Sequence, residues 1–337
     1  MTRRSALIAL AGAVRLKQNP LITQQMSARL GDDINGPSII RVPAWVKKPL
    51  GRYYLYFAHH KGSYIRLAYA NNLAGPWKIY QPGVLEVKDT EFFRPQPDLP
   101  DIGANFYTHV ASPEIVIDEA NHRLVMLVHG WYTNGQAWPG DAAANTRWAR
   151  DKGYAQFTQT TTSTDGLRFT PRPGITARTS YERIFRWQDA WYSMGRLGIL
   201  GRSAELTGVF EQGPNPFGGG PMANRVRHVA VLVRGAKLYV FFSAIGDAPE
   251  EILLSTIELN SDWKTWRASP PVKVLHPEAK YECTGLAVVP SKAGEAEGPE
   301  HALRDPGLIE ENGRVLLFYS YCGEQGLAAA DVTSLVR

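Results

Sequence analysis

The sequence predicts an all-β chain closed into a ring of five blades, a β-propeller, and two features carry that reading. A ten-residue phrase returns without helical spacing. Residues 68–77, A-Y-A-N-N-L-A-G-P-W, reappear at 201–210 as G-R-S-A-E-L-T-G-V-F, with Leu73 matching Leu206, Gly75 matching Gly208 and Trp77 matching Phe210. Looser copies are S-T-D-G-L-R-F, ending at Phe169, and T-I-E-L-N-S-D-W-K-T-W, ending at Trp266. Each copy follows an alternating apolar strand, turns on Gly, Asn or Asp, and ends in an aromatic, as the outer hairpin of a repeating β-unit does. The second feature is composition. With 44% hydrophobic and 11% aromatic residues, 31 Gly and 23 Pro among 337 residues, the chain suits one turn-rich body with a sizeable core.

Five units follow in order. Unit one runs from G-P-S-I-I at Gly36 through Y-Y-L-Y-F-A at Tyr53 to Trp77. Unit two opens with S-P-E-I-V at Ser112, continues as R-L-V-M-L-V-H-G from Arg123, and closes at Phe169 after an insertion over 138–150. Unit three is R-I-F-R-W from Arg183, A-W-Y-S-M-G-R from Ala190, and the phrase ending at Phe210. Unit four is R-H-V-A-V-L-V from Arg227, K-L-Y-V-F-F-S from Lys237, and the stretch ending at Trp266. Unit five is D-P-G-L-I from Asp305, R-V-L-L-F-Y-S from Arg314, and G-L-A-A-A-D-V from Gly326. It stops one strand short. A ring in that state borrows its last strand from the other terminus, and N-P-L-I-T from Asn19 is the donor that hides two sheet edges. The stretches P-Q-P-D-L-P-D-I-G at 95–103 and G-P-N-P-F-G-G-G-P at 213–221 read as loops between blades.

One propeller domain is therefore expected over 18–337. Residues 1–17 place Arg3 and Arg4 before a short apolar run that ends in small residues, which predicts a twin-arginine-like export signal and a periplasmic or extracellular protein. The competing reading is a disordered N-terminus on a cytoplasmic protein. No apolar stretch is long enough to span a bilayer. The net charge of +5 comes from Lys and Arg scattered among acids, which argues against nucleic acid and for an anionic or polyhydroxyl ligand. The sequence sets no oligomeric state. Cys283 and Cys322 are too few for a disulfide framework and lack metal-ligand spacing, so they are two buried thiols, or one bridge in an exported chain.

In a four-stranded antiparallel blade, the start of strand one and the turn between strands two and three share a face. The strand-one starts offer Asn35, His109 with Glu114, Arg183, Arg227 with His228, and Arg304 with Asp305. The second turns offer His59, His60 and Lys61, then His129 and Trp131, Arg196, Asp247 and Glu324. Ligands bind where such loops converge on the channel, so a titratable and aromatic rim there is a candidate site. Each residue also has a structural reading, since histidines and arginines at strand ends are commonly satisfied by carbonyls. Glu86, Asp89, Glu250, Glu251, Glu295, Glu297 and Glu310 read as solvated loop residues, and the hairpin aromatics as packing between blades.

The motifs N-P-L-I, P-S-I-I with Y-Y-L-Y-F, S-P-E-I-V, and R-D-P-G-L-I with L-L-F-Y-S together resemble the five-bladed propeller glycosidases typified by glycoside hydrolase family 43. In that family an Asp before the blade-one Pro is the general base. Here that position is Gly36, which cannot take a proton. Only blade five keeps Asp before Pro, as Asp305; blade two has Ser112 there with Glu114 two positions on, and Glu282 lies just ahead of blade five. The resemblance implies acid–base hydrolysis of a terminal sugar, a furanose or pentose first, by two carboxyl groups about 6.5–9.5 Å apart if inverting. Asp305 would be the base or a pKa-setting neighbour, with Glu114 or Glu282 as the other carboxyl group. A histidine acid drawn from His59, His60 or His109 is a second route.

His59, His60, Arg66 and Arg304 would hold sugar hydroxyls or a uronate carboxylate, and Trp131 would give a stacking face. No cofactor or metal is assigned: G-G-G from Gly218 lies between prolines rather than before a helix. A single channel ion held by one histidine and waters is compatible with the pattern. Gly36 supports a rival of another class, a carbohydrate-binding propeller without catalysis, and a polysaccharide lyase using His or Tyr as base is a third reading. A rim closed by 132–150 would admit only chain ends.

Overall fold

The computed structural model describes residues 12–92, 108–132 and 156–336. Two short N-terminal strands, β1 (Val14–Arg15) and β2 (Ile22–Thr23), precede blade one, β3 (Asn35–Arg41), β4 (Tyr53–Ala58), β5 (Tyr64–Ala70) and β6 (Lys78–Glu86). Blade two is β7 (Ala111–Asp118), β8 (Arg123–Trp131), β9 (Gln156–Ser163) and β10 (Thr170–Pro171). Blade three is β11 (Arg183–Trp187), β12 (Ala190–Met194), β13 (Leu200–Ser203) and β14 (Glu211–Gln212). Blade four is β15 (Val226–Arg234), β16 (Lys237–Ala244), β17 (Ile252–Glu258) and β18 (Val272–Leu275), and blade five is β19 (Leu303–Glu311), β20 (Arg314–Tyr321) and β21 (Gly326–Asp331). Every blade is an antiparallel meander, inner strand first.

Second strands such as Y-Y-L-Y-F-A in β4 are buried along their whole length, because a blade packs a neighbour on each face and both sides of the strand must be apolar. The aromatic that ends each outer hairpin reaches back onto the preceding blade. Trp77 packs edge-on against Phe318 of blade five, with ring centroids 6.2 Å apart. Phe169 meets Tyr56 of blade one at 5.7 Å, Phe210 clusters with Val125 and Leu127 of blade two, and Trp266 lies 4.9 Å from Tyr192 of blade three. The indole N–H of Trp77 donates to Leu73 O and that of Trp266 to Asn260 O, so neither buried ring leaves a polar atom unpaired. The repeated phrase is thus a device that closes its own hairpin and glues one blade to the last.

β21 pairs with β2 through Ile22 and Leu327, and with β1 through Val14 and Asp331. The expected N-terminal closure is present. It involves more chain than expected: Val14 and Arg15, inside the 1–17 segment, also pair with β21 and extend blade five. Only the first eleven residues of the proposed signal lie outside the described residues, as do 95–103 and 138–150, while 213–221 does join blades three and four. Cys283 and Cys322 form a disulfide, Cα atoms 5.1 Å apart, tying the loop after β18 to the turn after β20.

The x-Pro motif at the inner-strand starts has a structural cause. Gly36, Ser112 and Asp305, each directly before proline, adopt φ of 60°, 45° and 51°, and a register shift follows in each strand, between Asn35 and Ser38, Ala111 and Glu114, and Arg304 and Gly307. Blade four makes the same shift between Val226 and Val229. These are β-bulges, which re-aim a side chain at a sheet rim. A left-handed φ at Ser112 and Asp305 costs each roughly 1–2 kcal/mol, and such strain concentrates at functional sites.

Candidate functional site

The bulges and second turns bring a buried polar cluster to one end of the channel. At the seam between blades one and five, Ile34 N–H donates to Glu324 O at 2.6 Å and Ile34 bridges Gln325. That backbone contact sets Asp33, Asn35, His60 and Glu324 side by side, all buried. His60 Nδ1 lies 3.1 Å from Glu324 Oε2 and 3.9 Å from Asp33 Oδ2. Asn35 Nδ2 donates to Asp33 Oδ1 at 2.8 Å and lies 3.1 Å from His60 Nδ1. Burial and the charge of Glu324 hold the Asp33 carboxyl well above its usual pKa. Burial would raise Glu324 too, but His60 and Arg304 hold it well below. Burial alone would depress His60, yet Glu324, Tyr181 and Asp33 raise it well above the usual imidazole value.

Arg304, fully buried, extends this cluster into blade four. Its Nε is 2.9 Å from Glu250 Oε2, its Nη1 is 3.7 Å from Glu324 Oε1, and Nη2 pairs with Glu300. Arg227 Nε binds the other oxygen of Glu250 at 2.7 Å. Glu250 and Glu251 are therefore not solvated loop residues: both are buried, Glu250 because two guanidiniums from neighbouring inner strands need a shared counter-charge.

Tyr181 joins the two halves of the cluster. Its φ is 60°, a sterically unfavourable conformation for a bulky residue. Its ring lies between His129 and His228, at centroid distances of 4.1 and 3.9 Å, and its hydroxyl is 3.4 Å from His60 Nε2. His228 Nδ1 contacts Asp305 Oδ1, and Ser320 Oγ donates to Asp305 Oδ2 at 3.3 Å. Burial lowers the His228 pKa, with Asp305 pulling the other way. His129 is held well below its usual value by burial and by His109 and His228, and neither of its ring nitrogens has a hydrogen-bond partner among the described residues.

Next to Tyr181, Glu182 is buried at the head of β11 against hydroxyls rather than cations. Thr179 Oγ1 donates to its Oε1, and burial pushes its pKa from 4.5 up to about 8, the Ser193 hydroxyl acting in the opposite sense. Gly195 makes the close approach feasible, since a Cβ there would come within 2.7 Å of Glu182 Oε1.

Of the residues expected to matter, Asn35, His60, His129, His228, Arg304, Asp305 and Glu324 meet in this cluster, and the His109 ring lies 5.8 Å from that of His129. Trp131 ends β8 two residues beyond His129. Arg66 and His59 flank the seam: Arg66 Nη2 donates to Leu30 O, while His59 Nε2 is 3.3 Å from Asp32 Oδ1. Two expected carboxylates stand elsewhere. Glu114 accepts from Arg183 Nη1 and Ser38 Oγ at 2.9 Å each, and from Ile184 N–H. Arg183 also binds the carbonyls of Pro37, Pro113 and Val229, so this pair is a strut between inner strands. Glu282 accepts from Arg15 Nε, Tyr319 OH and the backbone of Glu278 and Ala279, and none of these partners belongs to the mouth. Sequence reasoning passed over Asp33, Tyr181 and Glu182, and took Glu250 for a solvated loop residue. Asp33 had a signal, being two residues before Asn35 and so on the same face of an extended chain.

No family model matches the sequence. An uncharacterized protein of Acanthamoeba polyphaga mimivirus, R118, is 30% identical over 338 residues, covering 94% of this chain and 89% of its own. Among solved structures, α-L-arabinofuranosidase from Lactobacillus brevis aligns with a TM-score of 0.53 at 12% identity over 93% of this chain and 92% of its own. A thermostable family-43 glycoside hydrolase aligns at 0.51 and 14% over 88% of both chains. A Parabacteroides distasonis ATCC 8503 protein described as a presumed glycoside hydrolase reaches 0.61 at 12% over 96% of both. At these identities the likeness is one of fold: this chain has the five-bladed architecture of the family-43 propellers, as its motifs implied.

Proposed function

This chain belongs to the same family as the mimivirus protein, and we propose that its members are glycoside hydrolases that cleave a terminal sugar at the mouth formed by Tyr181, His228 and Asp305. The observation that carries this reading is the Asp305–His228 contact in the blade-five bulge. The carboxylate missing at Gly36 has its structural counterpart there, in the same left-handed position before proline. A Cβ at Gly36 would lie 3.1 Å from Ser112 Cα, so an acid there would need Ser112 to give way by a few tenths of an ångström.

With Nδ1 turned onto Asp305, His228 has Nε2 as its remaining basic nitrogen, and its lowered pKa keeps it neutral and able to take a proton from water. Asp305 fixes the tautomer and stabilises the imidazolium that forms. Glu182, kept protonated near neutral pH by burial, supplies the proton to the departing glycosidic oxygen, the division of labour seen when environments push two groups apart. Tyr181 offers an aromatic face to the sugar ring. This mechanism gives no role to Glu114, which is engaged by Arg183, Ser38 and the Ile184 N–H, or to Glu282, which is engaged by Arg15.

Release of reducing sugar from aryl glycosides and oligosaccharides tests this. Asp305→Asn and Glu182→Gln should each lower turnover by about 10²–10⁴-fold with the fold retained. Sugar binding without turnover in the wild type would instead establish the carbohydrate-binding reading that Gly36 favours, and a product absorbing in the near ultraviolet would establish a lyase.

A further inference from the structure

We propose that Asp33, His60 and Glu324, with Asn35, form a site for a borderline first-row divalent cation, Mn²⁺ or Zn²⁺, at the seam where the ring closes. One ligand atom from each of the first three residues lies within 4.8 Å of the others, and all three residues are buried. The closest pair, His60 Nδ1 and Glu324 Oε2 at 3.1 Å, has the spacing of neighbouring donors about a small ion with bonds of about 2.0–2.2 Å.

One further observation points to a ligand, and the charge of the surrounding network is compatible with it. Asn35 is 1% exposed, and its Oδ1 has no hydrogen-bond partner among the described residues although its amide sits in the cluster. Turned about its last torsion, the amide presents that oxygen beside Asp33 and His60, completing a set of three oxygens and one imidazole nitrogen. The charge of the network allows an ion. The contact-linked network of Arg227, Glu250, Arg304, Glu300, Glu324, His60 and Asp33 sets four carboxylates against two guanidiniums. Coordination requires His60 neutral and Asp33 ionised, so a divalent ion would take the place of two protons and leave the charge of this buried network unchanged.

The donor set narrows the ion. Calcium and magnesium favour all-oxygen shells, whereas a buried imidazole among carboxylates suits manganese or zinc. The backbone is set for the purpose: Ile34 N–H on Glu324 O and the Ile34–Gln325 bridge hold the two carboxylate-bearing segments together. An ion there would clamp blade one to blade five, so its effect is on the stability of the closed ring.

The test reads metal content and melting temperature of the full chain without substrate, so its failure and that of the hydrolase reading are separable. After dialysis against EDTA the wild type should melt lower. One equivalent of Mn²⁺ or Zn²⁺ should restore it and remain bound after desalting, while Ca²⁺ and Mg²⁺ should not. Glu324→Gln and Asn35→Ala should bind at least about tenfold more weakly, and Glu258→Gln, an exposed carboxylate on blade four, should bind as the wild type does. Wild type that retains no metal and whose melting is unmoved by all four ions overturns the proposal, as does undiminished binding by Glu324→Gln.

Discussion

Replacing Glu182 by glutamine isolates a single buried carboxyl group. Its folded pKa of about 8 against the ordinary 4.5 means that the native state holds a proton which the unfolded chain releases above pH 4.5. The stability this contributes is complete below that value and is lost as pH rises towards 8. Each unit of separation is worth about 1.36 kcal/mol, so between about pH 5 and about pH 8 the wild type should lose roughly 3–4 kcal/mol relative to Glu182→Gln, whose amide does not titrate. All other titrations are common to the two proteins and cancel in the difference. Equilibrium urea denaturation of both at the two pH values measures it. If the difference in unfolding free energy between them stays within about 0.5 kcal/mol across that range, then Glu182 is ionised in the folded protein and cannot be the proton donor proposed for it.

The same residue sets the alkaline limb of catalysis: kcat/KM should fall as pH rises through about 8, and a profile flat to pH 9 would reassign the acid. The lowered pKa of His228 should place the acidic limb below the usual imidazole range, which the same profile reports. Trp266→Ala should destabilise the fold by about 3–5 kcal/mol, read as a lowered denaturation midpoint, because that indole fills the contact with Phe185 and Tyr192 of the preceding blade. Gly36→Asp should lower stability without raising turnover, since the position combines a left-handed φ with a Cβ 3.1 Å from Ser112 Cα. A gain of activity in that variant would show that blade one can still carry the base.

The blades could be read from the chain because their signals are local. A Gly/Asn/Asp turn followed by an aromatic specifies its own hairpin, and Trp77, Phe169, Phe210 and Trp266 all proved to be wedges against the preceding blade. Strand starts and second turns also pointed to His60, His228, Asp305 and Glu324, since topology alone puts those positions at one end of the ring. Charges were harder. Glu250, in A-P-E-E, has the composition of a solvated loop and is buried only because Arg227 and Arg304 converge on it from separate blades. Glu282 drew notice as an isolated acid near blade five, yet Arg15, 267 residues away in sequence, claims it. Glu182 was overlooked beside the more conspicuous Arg183, and its protonation depends on the surroundings of Thr179, Ser193 and Gly195 that no pattern along one strand reveals. Pairing at long range, not propensity, decides which acids face the mouth.

Hydrolysis at this mouth is tested most directly by running the reaction in water enriched in oxygen-18 with whichever glycoside the wild type consumes. The account predicts one heavy oxygen at the anomeric carbon of the released sugar, with incorporation lost in Asp305→Asn. A released sugar without the label, or labelling that persists undiminished in Asp305→Asn, would contradict it.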